Sequence, residues 1–407
     1  MKYNANIKII DSIMGSGKTT FAFNMFNDQT GLNALKRFIY ATPRSKEVER
    51  ALDSVEGRTF EQPERKHGEG TKKAHFMKLV KEGRDIATTH QLLERLTVED
   101  IAEIEKQGYT LVLDEAPQVY EQVALCDCDL EMLEGFNHIS VDKETNRVEW
   151  INAEYPKTGA FNDLRELLER PGICYADKQG DNTLVFTMDP SFWEAFSDVY
   201  LMMYLYDGQF VKSYFELYGF DVTKYAVTDG KLVDYDAAKE GREHHYSLMK
   251  FRKHKTFVGE GRNDLSTGYL KDSKRFTDDA IKSIKDEMYN FSRTTKVDDI
   301  IWTCHSEFED VLQGKGYKNG YIPYTERATN AYKDCTTLMY IGNRFANPND
   351  TKFFKRRGIE FNYDLFAVSE ALQWIYRGAI RDGKEVRILM PSSRMRNLIE
   401  KWASYEI

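Results

Sequence analysis

The run Asp11-Ser-Ile-Met-Gly-Ser-Gly-Lys-Thr-Thr20 states its chemistry most plainly. Gly15 and Gly17 lack a Cβ, so backbone here can wrap closely around phosphate oxygens. Gly15, Ser16, Gly17, Lys18, Thr19 and Thr20 form the expected cradle, in which loop N–H groups and a helix N-terminus supply a concave positive field. Lys18 is placed to reach the β- and γ-phosphates, and the Thr19 hydroxyl to ligate Mg²⁺. A second run, Thr110-Leu-Val-Leu-Asp-Glu-Ala-Pro117, brings two acids. Asp114 is expected to hold Mg²⁺, directly or through water, and Glu115 to orient and deprotonate an attacking water. Two acids are needed because one is neutralised by the metal and the other must stay available as a base.

A phosphate loop of this kind needs a strand before it and a helix after it. Ile7–Ile10 and the stretch from Thr20 supply both, and Thr110–Leu113 is the strand that ends at the acids. Further strand-like runs at Phe38–Thr42, Asp85–Thr89, Thr183–Thr187 and Val199–Tyr206 are separated by stretches long enough for crossover helices. That alternation predicts a parallel sheet with helices on both faces. A polar middle from about Val222 to Thr295 follows. Alternation then resumes at Asp299–Thr303, Tyr321–Tyr324, Thr336–Ile341 and Val386–Met390. The expectation is an α/β chain with two tandem cores, residues 1–210 and 211–407, the second carrying a polar, helical insertion at about 222–296.

The 407 residues suit two or three domains, and the 41 % apolar content suits real cores. Lys plus Arg is 57 against 65 for Asp plus Glu, a net charge of -8, which excludes attachment to nucleic acid or anionic membrane by bulk positive charge. The average conceals contrast. Glu94 to Arg147 holds 14 acidic and 4 basic residues, while Lys352 to Lys401 holds 11 basic and 6 acidic. Five scattered cysteines are not a disulfide framework. Cys126-Asp-Cys128 has no second pair at finger-like spacing, so Mg²⁺ is the only metal expected. No apolar run approaches the roughly 20 residues that span a bilayer, and a cytoplasmic protein without membrane partners is expected.

Gly15-Ser-Gly-Lys-Thr together with Asp114-Glu-Ala-Pro resembles motifs I and II of superfamily 2 helicases, the DEAD/DEAH-like class. Ala41-Thr-Pro43 is similar to motif Ia, and Thr88-Thr-His-Gln91 to a further strand-end motif that faces nucleic acid. Val199–Tyr206 sits where motif III is expected, without the usual Ser/Thr-Ala-Thr. Phe366 to Gly383 resembles motif VI, with Gln373, Arg377 and Arg381 spaced by four, so that one helix would present all three on nearly one face. Arg327-Ala-Thr-Asn-Ala-Tyr332 resembles motif V, with Arg357-Gly-Ile-Glu360 as a rival. The resemblance is to helicases encoded by bacteriophages and mobile elements. It implies two RecA-like cores with ATP and Mg²⁺ at their interface, and an arginine, Arg377 or Arg381, that stabilises the transferring charge. It also implies a grip on single-stranded DNA through Thr42, Thr88, Thr89, Thr329 and Asn330, replication or recombination proteins as partners, and the cytosol of a bacterial host as location. An ATP-gated switch that remodels DNA or protein without separating strands is the alternative.

Overall fold

Alternate residues of a strand point to opposite faces of its sheet, and in the first half of the chain both faces are apolar. Ile7, Ile9, Ile39, Leu111, Leu113, Val199 and Leu201 bury against one layer containing Phe76, Leu79, Trp193 and Tyr214. Ile10, Phe38, Tyr40, Val112 and Met202 bury against the other, with Ala22, Phe26, Val48 and Ala51. The computed structural model describes residues 3–67, 70–125, 128–177, 183–253, 255–324 and 331–407. The chain divides into two compact units. One comprises Met1–Asp11, Gly17–Asp234 and Pro348–Phe361, the other Ser12–Ser16, Tyr235–Asn347 and Asn362–Ile407.

The main sheet of the first unit has eight strands in the order Lys231–Asp234, Val222–Thr228, Ile7–Asp11, Asp198–Met203, Thr110–Asp114, Phe38–Thr42, Asp85–Thr89 and Phe60–Glu61. Its pairings are parallel except for the hairpin at one edge, Val222–Thr228 with Lys231–Asp234. Asp198–Met203 lies between the strand that enters the phosphate loop and the strand that ends at the acids, with Ile9 opposite Leu201 and Leu201 opposite Leu113. The loop and the acids therefore leave the same edge of the sheet, one strand apart.

A separate antiparallel sheet is inserted after the acids, in the order Tyr120–Ala124, Thr183–Met188, Gly172–Asp177, Arg147–Trp150 and Ile139–Val141. The run Thr183–Thr187, expected in the parallel alternation, belongs here instead. A short apolar run has no feature that distinguishes the two kinds of pairing. Its fit depends on a distant glycine, because a Cβ on Gly172 would lie 2.2 Å from the Phe186 ring.

The second unit holds a four-stranded, all-parallel sheet in the order Met249–Phe251, Val386–Leu389, Thr337–Ile341 and Ile300–Cys304. Trp302, Met339, Ile341 and Leu389 pack there with Ile284, Met288 and Phe291 of the helix Asp278–Ser292. The Thr277 side chain caps that helix by accepting from the Ala280 N–H, and Asp278 and Asp279 complement its dipole. Among the described residues Tyr321–Tyr324, expected as a strand, makes only the single bridge of Tyr321 to Trp302, and Pro323 has no N–H to give a ladder. Residues 222–296, expected as a helical insertion, supply two strands to the first sheet and one to the second beside the helices Arg242–Ser247 and Asp278–Ser292. Among the described residues no helix is long and apolar enough to cross a membrane.

Candidate nucleotide site

The phosphate loop turns through two left-handed glycines, Gly15 at φ 84° and Gly17 at φ 89°. An L side chain is strained at both. Gly17 is also the N-cap of the helix Lys18–Asn27 and places no side chain over the amides of its first turn. Those amides are the donors that a helix start ordinarily offers to an anion. Within the loop the Ser16 N–H donates to the Ile13 carbonyl at 3.2 Å, whereas the buried Ser16 Oγ has no hydrogen-bond partner among the described residues. Such an orphaned hydroxyl costs about 1–3 kcal/mol, and a phosphate oxygen is a group that would satisfy it. The donors present fit a triphosphate.

Asp114 ends its strand beside this helix. Its Oδ2 accepts from Thr19 Oγ1 at 3.3 Å and from the Tyr40 hydroxyl at 3.2 Å. Burial pushes the Asp114 carboxyl above the usual carboxylate range, and the Lys18 ammonium opposes that push. Adjacent ligands of an octahedral Mg²⁺ are about 3 Å apart, so the Thr19 hydroxyl and the Asp114 carboxylate fit one ion. Burial, reinforced by Asp114, holds the Tyr40 phenol well above its ordinary range, so it stays a donor. Sequence reasoning missed Tyr40. The available signal was a hydroxyl-bearing ring inside the otherwise apolar run Phe38–Thr42.

Glu115 follows with φ 68°, in the left-handed region that a glutamate rarely adopts. Its N–H donates to the Met202 carbonyl at 2.9 Å, which fixes this backbone to the neighbouring strand.

Gln373, Arg377 and Arg381 do not share one helix. The helix Tyr363–Ile375 stops first, Gly378 is extended at φ -79° and ψ -173°, and Arg381 lies in the short turn Ala379–Asp382. Gly378 makes the break possible, because a Cβ there would sit 2.9 Å from the Cys335 carbonyl. Gln373 donates to Ser369 Oγ at 3.1 Å. Arg377 is buried and donates to the carbonyls of Pro323 and Tyr324 at 3.2 and 3.3 Å. Arg381 is exposed. The loop residues Ser12–Ser16 belong to the same unit as Arg381, and a Cβ on Gly15 would lie 3.1 Å from the Arg381 carbonyl oxygen. Arg377→Ala is expected to destabilise the second unit by about 2–4 kcal/mol, since it strands buried carbonyls. Arg381→Ala, at an exposed position, is expected to cost less than Arg377→Ala. Denaturant melts of the two variants check both.

Thr42 is buried, and its hydroxyl donates to the Arg44 carbonyl at 2.8 Å. Thr88 is buried, and Thr89, half-buried, precedes the helix His90–Leu93. His90 Nε2 lies 3.2 Å from the Ala41 carbonyl and ties these two strand ends together. Thr329, Asn330, Arg327 and Cys126 lie outside the described residues. Arg357, of the rival motif V, stacks over the Phe353 ring at 3.8 Å. Arg394, in the basic C-terminal segment, bonds Asn343, the Arg344 carbonyl and Asp364. Among the described residues no group of three or more His, Cys, Asp or Glu side chains could hold a metal ion.

Residues 243–403 match a family described as the YonV C-terminal Rossmann-like domain. Among solved structures, the chain is similar to S. tokodaii Xpd4, with 13 % identity, a TM-score of 0.50, and coverage of 99 % of this chain and 94 % of that one. It also aligns with the DUF1998 helicase MrfA bound to DNA and AMPPNP, at 12 % identity and a TM-score of 0.33, over 99 % of this chain and 48 % of that one. The Xpd4 likeness is one of fold. Sequence kinship extends further, to the SPbeta prophage-derived uncharacterized protein YonV of Bacillus subtilis (strain 168), which is 31 % identical over 413 residues, 97 % of this chain and 98 % of that protein. At that identity and coverage, the chain belongs to the YonV family.

Proposed function

We propose that this chain is an ATP-dependent helicase or translocase of the superfamily 2 type, acting on single-stranded DNA in phage replication or recombination. The observation that carries the reading is the 3.3 Å approach of Thr19 Oγ1 to the Asp114 carboxylate, across strands that end at one sheet edge. The fold shared with Xpd4 over nearly the whole chain supports it.

In this reading the amides of residues 15–20 and the Lys18 ammonium bind the phosphates and set the γ-phosphoryl group in line for attack. Thr19 and Asp114 would hold Mg²⁺, which would supply neutralisation of phosphate charge. Tyr40 orients the Asp114 carboxylate. Glu115 takes a proton from the attacking water. Arg381 is the better candidate for the charge-stabilising finger, because it is exposed whereas Arg377 is buried. Such a finger is worth about 10³-fold or more in rate. Thr89 and the loop amides at the ends of Phe38–Thr42 and Asp85–Thr89 contact the strand's phosphates, as non-specific grips do.

The test is ATP hydrolysis with and without single-stranded DNA or RNA, followed by displacement of a strand from duplexes with 3′ or 5′ tails. Stimulated hydrolysis with displacement is expected. Stimulation without displacement favours a translocase or remodeller. Hydrolysis that no nucleic acid stimulates would leave the protein-directed switch as the better reading.

A further inference from the structure

A carboxylate stands directly before the phosphate loop. Asp11 is the last residue of the strand Ile7–Asp11 and its exposure is 0 %. Burying a charge is costly unless hydrogen bonds replace its water. Asp11 obtains them from two backbone amides 194 and 195 positions away. The Leu205 N–H donates to Oδ1 at 2.7 Å and the Tyr206 N–H to Oδ2 at 3.0 Å. Charge-assisted bonds of this length are the strong kind.

The receiving turn is itself unusual. Leu205 adopts φ 55° and ψ 53°, a left-handed conformation costly for a leucine. The carboxylate holds both amides of this turn. The turn follows the strand Asp198–Met203, which lies between the loop strand and the acid strand. On the far side of that strand the Glu115 N–H donates to the Met202 carbonyl at 2.9 Å. The end of this strand is thus bonded to the residue that follows Asp114, and the turn after it to the residue that opens the phosphate loop. Just downstream, Phe210 begins the helix Phe210–Tyr218 and stacks on Phe361 with ring centroids 4.7 Å apart and on Tyr120 at 5.8 Å.

We propose that Asp11 is a positioning residue that ties the state of the phosphate loop to the turn Leu205–Phe210. The inference rests on the nucleotide reading above. A shift of the loop around a γ-phosphate moves the Asp11 carboxylate, and the two amides must follow or lose their acceptor.

Amide hydrogen exchange on the full chain tests this. Glu115→Gln is used as the background so that ATP with Mg²⁺ stays bound. Nucleotide is expected to slow exchange both in the loop and first helix, residues 12–24, and in residues 205–218. For the second segment the expected change is about tenfold, within the usual range of coupling between sites. Adding Asp11→Asn should leave the loop response in place and abolish the response at 205–218. Leu205→Gly, which removes the left-handed strain but keeps the Asp11 acceptor, should preserve both responses. If nucleotide protects the loop but never residues 205–218, the clamp carries nothing and the proposal falls. It also falls if Asp11→Asn leaves the distant response intact, or removes the loop response as well, which would make Asp11 merely part of the loop's own architecture. No protection anywhere would remove the nucleotide reading and this proposal with it.

Discussion

Lys18→Ala is expected to weaken nucleotide binding severely, not merely to slow turnover. The ammonium is the only full positive charge in the run Asp11–Thr20, so within this run the variant offers a triphosphate only neutral donors. A charge-assisted bond is about twice as strong as a neutral one, and truncating one partner of a buried charged pair costs about 2–5 kcal/mol. That converts to a loss of about 30- to 5,000-fold in affinity. A second consequence follows at Asp114, where Lys18 opposes the effect of burial. Without it the carboxyl rises further, and Mg²⁺, which needs the deprotonated form, binds less well toward acidic pH. Titration with a fluorescent ATP analogue, phosphate release, and a circular dichroism melt check these points together. Normal hydrolysis by a folded Lys18→Ala protein would remove the phosphate loop from the mechanism.

The strands around the site were legible because their signal is local. Ile7–Asp11, Phe38–Thr42, Asp85–Thr89 and Thr110–Asp114 are short apolar runs with turn residues at their ends, and they occupy the expected parallel sheet. What escaped was set by partners far away in sequence. The strand Val222–Thr228, in the hairpin that ends the sheet, is only partly buried, so its residues do not read as a core strand. Thr183–Met188 reads like its parallel counterparts, yet its pairing is decided by Gly172 and the inserted sheet. The break between Gln373 and Arg381 was also hidden. Spacing by four suggests one helical face, but Gly378 turns the chain against Cys335.

The site itself divides along the same line. The glycines and Lys18 announce a phosphate loop by type and spacing, since only glycine relaxes at φ 84° and 89°. Asp114 announces itself by ending an apolar strand. Tyr40 does not, because a buried tyrosine in a strand ordinarily serves the core and its hydroxyl finds its partner across the sheet. Asp11 looks like the polar end of a strand until the amides 194 residues later are in view. The arginines are the clearest case. Sequence left Arg377 and Arg381 equivalent, and burial separates them, because one is sealed against two carbonyls and the other is exposed.

Glu115→Gln should have the second large effect, and of the opposite kind. Glutamine keeps the size and hydrogen-bonding reach of glutamate but cannot accept the proton of an attacking water. The backbone has little reason to move, because the bond from the Glu115 N–H to the Met202 carbonyl belongs to the main chain. The strained φ of 68° is no worse for glutamine than for glutamate. Binding should therefore stay within about threefold of wild type, while kcat falls by about 10²–10⁴, the ordinary contribution of a general base. A fall in kcat with little change in affinity is the signature of an interaction made in the transition state alone. Affinity is best read from the equilibrium titration used for Lys18→Ala, because KM equals Kd only when chemistry is slow relative to dissociation. Single-turnover phosphate release then isolates the chemical step. Wild-type turnover in Glu115→Gln would require another base. Loss of binding would instead make Glu115 a holder of the phosphates or the metal, and the separation of roles between it and Asp114 would fail.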